Sequence, residues 1–337
     1  MSLRVGLVGF GTVGQSVARL LLDGAERRLR LVKVCGRPGG RERAAWLPPS
    51  VAWTTRFDDL IVRDVDVVVE LVGGLQPAWQ WLHKALLSGK SVVTANKQLV
   101  AEHGPELLDV AARRGSLLRY DGAVAGGVPV IRGIEDGLAG DRLLSVTGIL
   151  NGTCNHILTR IEQQRLPFAD ALREAQALGY AEADPAADLD GLDARAKLVI
   201  LCQAAFGIRV RPSQVACESI ASVAPADFDA AHARGCTIRQ VSSAERVDGS
   251  PHEMAAFVRP ALVPLDSPFA RASGCQNVVS VRGEFSGETV FTGQGAGGNA
   301  TAVAVVSDLL AVATARQRLA ATARPIAVSA TPRKRVS

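Results

Sequence analysis

The residues most able to do chemistry lie in an acidic segment that leads into an apolar helix. Between Glu182 and Lys197, sixteen residues contain five carboxylates and one lysine. Asp193 and Lys197 are four residues apart, so on a helix they share one face. The stretch 198–206 is almost wholly apolar, which predicts that the helix is buried. Burial would lower the pKa of the lysine toward the range that is useful for proton transfer.

A surface ion pair ahead of a core helix would show the same spacing, so spacing alone does not decide between an ion pair and a catalytic lysine. The rarity of lysine in this sequence favours the catalytic interpretation. Of 38 lysines and arginines, only six are lysine, which indicates that this protein prefers arginine for general positive charge. Arginine keeps its proton near neutral pH, whereas a desolvated lysine can release it. This argument singles out Lys97 and Lys197.

A glycine motif near the N-terminus predicts a dinucleotide site. Residues 3–8 have the pattern of a buried strand, and an amphipathic helix follows. Gly9, Gly11 and Gly14 lie between them as G-x-G-x-x-G. The first glycine allows a tight turn, the second lets the backbone approach a pyrophosphate, and the third lets helix and strand pack closely. The start of the helix then offers free N–H groups to the phosphates.

The loop after the second predicted strand, 29–35, bears on the choice of cofactor. An NAD site usually has an acid here for the ribose hydroxyls. This loop has no acid before Glu42 and offers Arg37 and Arg41. The pattern favours a 2′-phosphate, and hence NADP over NAD, although a solvated loop could have the same composition.

Repeated strand and helix patterns predict the elements that position these residues. Strands over 65–72, 91–94 and 117–121 alternate with helices, which indicates an α/β fold with a Rossmann-type, doubly wound parallel sheet. Ligands bind beyond the carboxyl ends of such strands. Thr94, Lys97 and the pair Gly73-Gly74 are therefore expected at the ligand-binding edge.

A second, α+β region is predicted to follow the glycine-rich turn at 124–129. It begins with a strand over 143–150 and a helix through Glu162, with Thr153 as its N-cap, and helical stretches continue to about residue 244. A hairpin is predicted from 278–281 and 289–292. The predicted domains are 1–130 for the dinucleotide, completed by a helix at about 299–318, and 131–298 for substrate binding and dimerisation. A disordered tail is expected at 323–337.

Composition narrows the class of protein. The six cysteines are scattered without metal-ligand spacing, which favours reduced thiols and a cytoplasmic location. No signal peptide and no run of about 18 apolar residues is evident, so a membrane span is not expected. The net charge of +5 is spread along the chain, and only 4% of residues are aromatic. Nucleic-acid binding therefore has little support.

Six blocks, taken together and in order, resemble homoserine dehydrogenases. They extend over about residues 5–315, and the fourth and fifth are the most specific. The resemblance implies NAD(P)H-dependent interconversion of L-aspartate 4-semialdehyde and L-homoserine, within threonine and methionine biosynthesis, by a homodimer. The blocks are GFGTVG at 9–14, TANK at 94–97, YDGAVAGGVPVIR at 120–132, GILNGTCNHILT at 148–159, LGYAEADPAADLDGLDARAK at 178–197 and GAGGNATAVAVVSD at 295–308.

The resemblance also implies roles for individual residues. Lys197 matches the catalytic acid/base, and Lys97 matches a lysine between cofactor and substrate. Asp193 and Glu182 match substrate-binding acids, with Gly179 and Thr153 beside them. Besides the three glycines and Arg37, the residues implied to contact the cofactor are Phe10, Thr12, Val13, Thr94 and Gly298. The residues implied to form a monovalent-cation site, usually for Na⁺, are Asp121, Val124, Gly126 and Val128.

The sequence departs from the family pattern at several positions. Asp121 and Gly122 stand where Glu and Ala are usual, so a carboxylate one methylene shorter faces the cation site, and Asp121 could instead cap the turn. Cys154 stands where Thr or Cys is frequent, and His156 stands where Tyr is frequent. Both are interpreted as packing variants. The resemblance is to the short form of the family, so neither a C-terminal ACT domain nor a fused aspartate kinase is expected. A dehydrogenase for another amino or 2-hydroxy acid, and a non-catalytic NADP-binding protein, are the alternatives.

Overall fold

The computed structural model describes residues 2–23, 28–40, 44–247, 250 and 253–322. The predicted tail at 323–337 and the side chain of Arg41 lie outside this part of the chain. Two six-stranded sheets organise it. The strands of the first sheet, sheet A, are β1 (Leu3–Val8), β2 (Leu29–Cys35), β3 (Ala52–Thr54), β4 (Val67–Glu70), β5 (Ser91–Thr94) and β6 (Leu118–Arg119).

Sheet A is the predicted doubly wound sheet. Its strand order is β3-β2-β1-β4-β5-β6, and every pairing in it is parallel. This is the order of a Rossmann fold. Its central strands are apolar and buried, as expected for a parallel sheet that is covered on both faces. The covering helices are α1 (Thr12–Leu22), α2 (Ala78–Leu87) and α3 (Lys97–Arg113).

The second sheet, sheet B, is mixed. Its strands are β7 (Leu143–Ile149), β8 (Ala216–Cys217), β9 (Cys236–Arg246), β10 (Met254–Pro264), β11 (Gln276–Gly283) and β12 (Glu288–Gln294). Their order is β12-β11-β7-β9-β10-β8, with only the β8–β10 pairing parallel in the part of the sheet described here. The predicted hairpin lies inside β11 and β12 and is confirmed.

The remaining helices are α4 (Val130–Arg132), α5 (Gly152–Gln164), α6 (Phe168–Ala177), α7 (Ala186–Leu189), α8 (Leu192–Phe206), α9 (Pro225–His232), α10 (Pro268–Arg271) and α11 (Gly298–Thr322). Helices α5, α8, α9 and α10 pack against strands of sheet B. Short 3₁₀ turns occupy Phe57–Leu60, Asp121–Ala123 and Pro212–Gln214, and a π turn occupies Gly133–Gly137. The strands of sheet A lie between Leu3 and Arg119 and those of sheet B between Leu143 and Gln294, on either side of the predicted boundary near residue 130.

The prediction of helices up to about residue 244 is wrong, because β9 occupies Cys236–Arg246. Strand β9 lacks the alternation of apolar and polar residues that marks a half-buried strand. Its polar residues Thr237, Arg239 and Gln240 are buried. The Arg239 guanidinium, for example, donates to Glu162 Oε2 at 2.8 Å. Tertiary partners thus satisfy side chains that a sequence pattern assigns to solvent.

Helix α11 returns the end of the described chain to sheet A. Apolar residues of α11 lie in one core cluster with residues of β1 and β4, and the helix packs against α1. The stretch Gly298–Leu319 is long and apolar enough to cross a membrane by length and composition, with a mean hydropathy of 1.4. However, 44% of it is buried inside the protein, and its contacts are those of a core helix.

Candidate active site

The glycine motif forms the tight turn between β1 and α1. Gly9 has φ +94°, and a Cβ there would lie 2.6 Å from the Leu71 backbone. A Cβ on Gly14 would lie 2.1 Å from the Gly9 oxygen. Gly11 differs, because a Cβ there would meet nothing within 4 Å. Packing therefore explains the first and third glycines, whereas Gly11 opens toward space that a pyrophosphate could occupy.

The start of α1 can hold that phosphate. The helix begins at Thr12 with Gly11 as its N-cap, without a side-chain cap and without an acid in the first turn. Its first N–H groups and the positive end of its dipole are therefore available to an anion. Gly298 packs against this turn, since a Cβ there would lie 2.8 Å from Thr12 Cγ2. Val13, half-buried, follows Thr12 in the same turn.

Aromatic residues support the neighbouring loop that carries Arg37. Phe10 stacks on Trp46 with ring centroids 5.9 Å apart and meets Trp53 edge-on at 5.4 Å. Trp53 lies under the loop, because a Cβ on Gly36 would come within 2.3 Å of its ring. Strands β1 and β2 pair through Val8 and Cys35, so this loop emerges beside the glycine turn. Arg37 is exposed on it, at the edge where a dinucleotide would bind.

Lys97 and Lys197, the two lysines singled out by the sequence, meet at one carboxylate. Lys197 Nζ lies 2.7 Å from Asp193 Oδ2, one turn earlier on α8, and Lys97 Nζ lies 3.1 Å from Asp193 Oδ1. The side chains of Asp193 and Lys197 are only 12% and 11% exposed, so the surface ion pair is ruled out. Lys97 is the first residue of α3, directly beyond β5. A helix that packs on sheet A and a helix that packs on sheet B thus both contribute to this array.

Lys197 is fixed at a second point. Its ammonium also donates to the Leu150 carbonyl at 2.7 Å, at the end of β7. An ammonium has three donors, and Asp193 and Leu150 use two of them. One N–H of Lys197 therefore remains for a substrate oxygen. Lys97 is less enclosed, with 38% of its side chain exposed, which suits contact with a ligand.

The electrostatics keep Asp193 ionised. Burial raises its pKa, but the ammonium groups of Lys197 and Lys97 outweigh burial and hold the pKa far below its ordinary value. The neighbouring Asp188 behaves differently. Burial raises the pKa of Asp188, a hydrogen bond from Asn151 opposes the rise, and the charge of Asp193 adds to it. The site thus contains one acid whose pKa is lowered and one whose pKa is raised.

Asn151 forms hydrogen bonds to both of these acids. It is also the N-cap of α5, so the prediction of Thr153 as the cap is wrong. The N-cap of α5 is Asn151 rather than Thr153, since Asn151 Oδ1 accepts from the Cys154 N–H at 2.8 Å. Its amide donates to Asp193 Oδ2 at 2.9 Å and to Asp188 Oδ1 at 2.7 Å. Asn151 was not among the residues predicted for the site, and its place directly before the predicted helix is the signal that could have marked it as the N-cap. One side chain therefore both caps helix α5 and hydrogen-bonds to Asp193.

Thr153 and Gly179 shape the loop that carries Glu182. Thr153 Oγ1 donates to the Tyr180 carbonyl at 2.7 Å, which ties the loop to the first turn of α5. Gly179 has φ +75°, a conformation that favours glycine, and a Cβ there would meet nothing within 4 Å. Glu182 is exposed, and within the described residues no donor bonds its carboxylate. It is therefore free to bind a cationic group.

The two departures at 154 and 156 are buried. The Cys154 thiol donates to the Asp188 carbonyl at 3.1 Å, and burial raises its pKa well above the usual range. The His156 ring meets Tyr180 edge-on with centroids 4.9 Å apart. Both side chains thus help to pack the walls of the site, as predicted.

The residues of the implied cation site are partly engaged within the protein. Asp121 Oδ1 accepts from the N–H groups of Ile131 at 3.1 Å and Arg132 at 3.3 Å, at the start of the short helix α4. The Val128 carbonyl already accepts from Val130 N–H at 2.7 Å. Gly126 lies close to α11, because a Cβ there would lie 2.8 Å from Thr301 Oγ1. These contacts leave the Val124 and Gly126 carbonyls as the less committed oxygens.

A second buried acid lies beside Asp121. Asp308 Oδ2 on α11 accepts from the Asp121 N–H at 2.9 Å. Burial, with the nearby charge of Asp121, raises the pKa of Asp308 to about 7. Burial also raises the pKa of Asp121, against the two hydrogen bonds at the start of α4. Among the described residues, no group of three or more His, Cys, Asp or Glu side chains has the geometry to hold a metal ion.

Thr94 lies at the expected ligand-binding edge of sheet A, but its hydroxyl forms hydrogen bonds within the protein. It donates to Glu70 Oε2 at 2.6 Å and accepts from Asn96 N–H at 3.0 Å. Glu70 is the one polar residue of β4 and is fully buried. Glu70 was not among the residues predicted for the site. A lone acid at the end of the apolar run 67–69 is the sequence signal that could have drawn attention to it.

Comparison with known proteins agrees with the fold and the site. Residues 9–121 match the family model described as homoserine dehydrogenase, NAD binding domain, and residues 129–310 match the model described as homoserine dehydrogenase. The homoserine dehydrogenase of Mycobacterium bovis is 44% identical over 319 residues, which cover 92% of this chain and 72% of the relative. That of Bacillus subtilis is 40% identical over 318 residues, which cover 92% and 73%.

Solved structures give the same answer. A homoserine dehydrogenase from Thiobacillus denitrificans superposes with a TM-score of 0.90 at 37% identity, over 96% of this chain and 76% of that one. A hyperthermophilic archaeal homoserine dehydrogenase mutant in complex with NADPH shares the fold at 23% identity, with a TM-score of 0.79 over 94% and 98% of the two chains. By sequence and by structure, this chain belongs to the homoserine dehydrogenase family of NAD(P)-dependent oxidoreductases.

Proposed function

We propose that this protein interconverts L-aspartate 4-semialdehyde and L-homoserine with NADPH and NADP⁺, as a step of threonine and methionine biosynthesis. The observation that carries the proposal is the array of Lys97 with the buried residues Asp193 and Lys197. The array lies beyond a strand of the nucleotide sheet, and Thr153 ties the loop that carries the exposed acid Glu182 to the helix that Asn151 caps. Such an array combines a proton donor with groups that bind an amino acid.

Lys197 is the acid/base of the proposed reaction. When bound, the nicotinamide supplies hydride to the aldehyde carbon or accepts it from the alcohol. The free N–H of Lys197 then delivers a proton to the nascent alkoxide during reduction, and the neutral amine takes the hydroxyl proton during oxidation. The ammonium also stabilises negative charge on the oxygen before the proton moves. Leu150 and Asp193 hold Nζ in place for this transfer.

Asp193 and Lys97 complete the catalytic array. The carboxylate of Asp193 orients both lysines and balances part of their charge. Lys97 extends from the nucleotide sheet toward the same point, between cofactor and substrate. In the proposed complex its ammonium faces the carboxylate of the amino acid or the reacting oxygen.

The direct test is oxidation of L-homoserine by the purified protein, followed by reduced-nicotinamide absorbance with NADP⁺ and with NAD⁺. Saturable turnover supports the proposal. Turnover confined to another amino or 2-hydroxy acid would assign the alternative dehydrogenase activity. Binding of NADPH without turnover of any of these substrates would indicate a non-catalytic NADP-binding protein.

Glu182 is the proposed partner of the substrate α-ammonium, with Gly179 and Thr153 shaping its loop. Glu182→Gln is expected to raise KM for homoserine by roughly tenfold or more, because it removes a charged acceptor for a cation. KM for the cofactor is expected to stay unchanged. Initial rates with each substrate varied in turn give both constants. Equal changes in the two constants would argue against the ammonium role, and Asp184→Asn, an exposed acid nearby, serves as the matched control.

Arg37 is the proposed contact for a 2′-phosphate, and it supports NADP over NAD. The cofactor contacts proposed beside it are the turn Gly9–Gly14 and the residues Thr94 and Gly298. Lys97 also lies between cofactor and substrate. The glycine turn and the Arg37 loop adjoin through the paired ends of β1 and β2.

Arg37→Asp is expected to shift preference from NADP⁺ toward NAD⁺, because it removes a phosphate partner and supplies an acceptor for ribose hydroxyls. The ratio of kcat/KM values for the two cofactors is expected to change by at least about tenfold. Arg37→Ala separates loss of the phosphate contact from gain of the acceptor. An unchanged ratio in both variants would show that this loop does not reach the 2′ position.

For the cation we propose a weak or absent site at Asp121, Val124, Gly126 and Val128. Asp121 and Val128 already bond within the protein, and hard cations bind oxygen cages weakly unless ligand number and distance both fit. Activity at constant ionic strength is therefore expected to change less than about twofold between Na⁺ and K⁺. A strong, saturable dependence on one cation that disappears in Asp121→Ala would contradict this.

We also propose that the protein is a cytoplasmic homodimer that acts on small molecules without nucleic acid or a membrane. All six cysteines are free thiols, which suits a reducing compartment. The proposed domains are 1–130 with the helix at about 299–318 for the cofactor, and 131–298 for substrate binding and dimerisation. Light scattering of the purified protein measures the oligomeric state.

A further inference from the structure

We propose that Glu70 is a positioning residue that holds Lys97 and the loop at Gly73-Gly74 in a fixed relation to each other. The inference rests on the proposed function, since it deepens the role given to Lys97. Glu70 touches neither lysine of the catalytic array in this structure. It acts through a chain of hydrogen bonds that joins the carboxyl ends of β4 and β5.

The first part of this chain is the Glu70 carboxylate. The residue is 0% exposed at the end of β4. Its Oε1 accepts from the N–H groups of Val72 at 2.7 Å and Gly73 at 3.0 Å. Its Oε2 accepts from Thr94 Oγ1 at 2.6 Å, at the end of the adjacent strand. One buried carboxylate therefore fixes the loop after β4 and the end of β5 together.

The second part of the hydrogen-bond chain connects Thr94 to the start of α3. Thr94 Oγ1 also accepts from Asn96 N–H at 3.0 Å. The side chain of Asn96 caps α3 by accepting from Leu99 N–H at 3.1 Å, and it donates to the Gly74 carbonyl at 2.7 Å. Lys97 lies between these two anchored residues. The backbone position of Lys97 therefore depends on hydrogen bonds that link Glu70, Thr94 and Asn96 to the glycine loop.

The glycine loop faces open space, which gives the arrangement a use beyond stability. Gly73 and Gly74 have φ +80° and +71°, and a Cβ on either would meet nothing within 4 Å. They lie at the edge of sheet A where a dinucleotide binds. Lys97 contacts Asp193 from the same edge. Glu70 thereby fixes the glycine loop, where the cofactor would bind, in position relative to Lys97 of the catalytic array.

The direction of these bonds makes Glu70→Gln a sharp test. The carboxylate accepts at both oxygens, whereas glutamine accepts at one end and donates at the other. If the amide nitrogen faces Thr94, the hydroxyl proton of Thr94 loses its acceptor. If the nitrogen faces the loop instead, it meets the N–H groups of Val72 and Gly73. Either orientation breaks one link in a nearly isosteric side chain.

We expect Glu70→Gln to lower kcat for homoserine oxidation by about tenfold to a hundredfold, the scale of a small misplacement of a reacting group. In a Lys97→Ala background the same change is expected to lower the residual kcat by less than about twofold, because coupled residues are non-additive. Effects on the cofactor KM through Gly73-Gly74 are expected in both backgrounds. Equal losses of kcat in the two backgrounds, or no loss in the wild type, would overturn the proposal.

Thr94 offers a second route if Glu70→Gln folds poorly. Thr94→Val removes the hydroxyl at similar volume and is expected to reproduce the loss of kcat, whereas Thr94→Ser keeps the hydroxyl and is expected to lose less kcat than Thr94→Val. The matched control is Glu162→Gln, which removes a partly buried carboxylate that accepts from Arg239 and Thr237. It is expected to lower thermal stability and leave kcat unchanged. Loss of kcat in Thr94→Ser equal to that in Thr94→Val would contradict the relay.

Hydrogen exchange tests the positioning without relying on activity. In Glu70→Gln, peptides that cover 71–74 and 94–99 are expected to exchange faster than in the wild type, while peptides from sheet B are unchanged. Unchanged exchange in both segments would overturn the inference. If the wild type does not oxidise homoserine, the proposed function fails, and the exchange result still decides the structural role of Glu70.

Discussion

Lys197→Ala is expected to lower kcat for homoserine oxidation by roughly 10²–10⁴-fold, the usual contribution of a positioned acid/base. The reason is geometric, because Lys197 is the buried ammonium with a donor left over after Asp193 and Leu150 are satisfied. Affinity for NADPH is expected to change little, since Lys197 contacts neither the glycine turn nor the Arg37 loop. Steady-state rates and a titration of NADPH fluorescence measure the two effects.

Lys197→Arg provides the matched control for charge. Arginine keeps the positive charge but does not give up its proton near neutral pH. We therefore expect the arginine variant to be nearly as slow as the alanine variant. Near-normal turnover of Lys197→Ala, with folding verified by thermal melting, would transfer the acid/base role to Lys97.

Asp193→Asn is the change with the second-largest expected effect. It removes the negative charge between two ammonium groups and is expected to lower kcat by about 10²-fold through loss of their alignment. It is also expected to lower the free energy of unfolding by about 3–5 kcal/mol, as for a broken buried ion pair. Steady-state kinetics and denaturant unfolding measure these effects.

The pH dependence of this loss follows from the pKa of Asp193. The lysines hold that pKa far below its ordinary value of 3.8. A depressed acid pKa stabilises the folded state fully above the unfolded pKa, and the stabilisation is lost only as the pH falls below it. The stability difference between wild type and Asp193→Asn is therefore expected to be constant from about pH 6 to about pH 9. A stability difference that varies over that range would contradict this expectation.

Asp190→Asn is the control for this substitution, because Asp190 is an exposed acid three residues earlier. It is expected to change neither kcat nor stability appreciably. A loss of kcat in Asp190→Asn that matches Asp193→Asn would indicate a general charge effect of the acidic segment. The specific role of Asp193 would then be excluded.

The parts of the fold that the sequence predicted are those in which neighbouring residues carry the signal. The glycine turn, the α/β alternation and the Asp193–Lys197 pair all depend on spacing within one turn or one strand. Strand β9 was predicted wrongly because its polar residues are buried against distant partners. Arg239, for example, pairs with Glu162 from another element.

The sequence by itself determined that this protein has a dinucleotide turn at Gly9–Gly14 and a lysine one helical turn from an acid on an apolar helix. Only the tertiary structure decided which distant groups meet that acid. Asp193 receives one hydrogen bond from Asn151 and forms an ion pair with Lys97, and both residues belong to other elements. Likewise, the partner that Glu70 finds in Thr94 was evident only once β4 and β5 were adjacent. The physical reason is that buried polar groups must find partners, and the packing of elements, rather than the order of residues, brings those partners together.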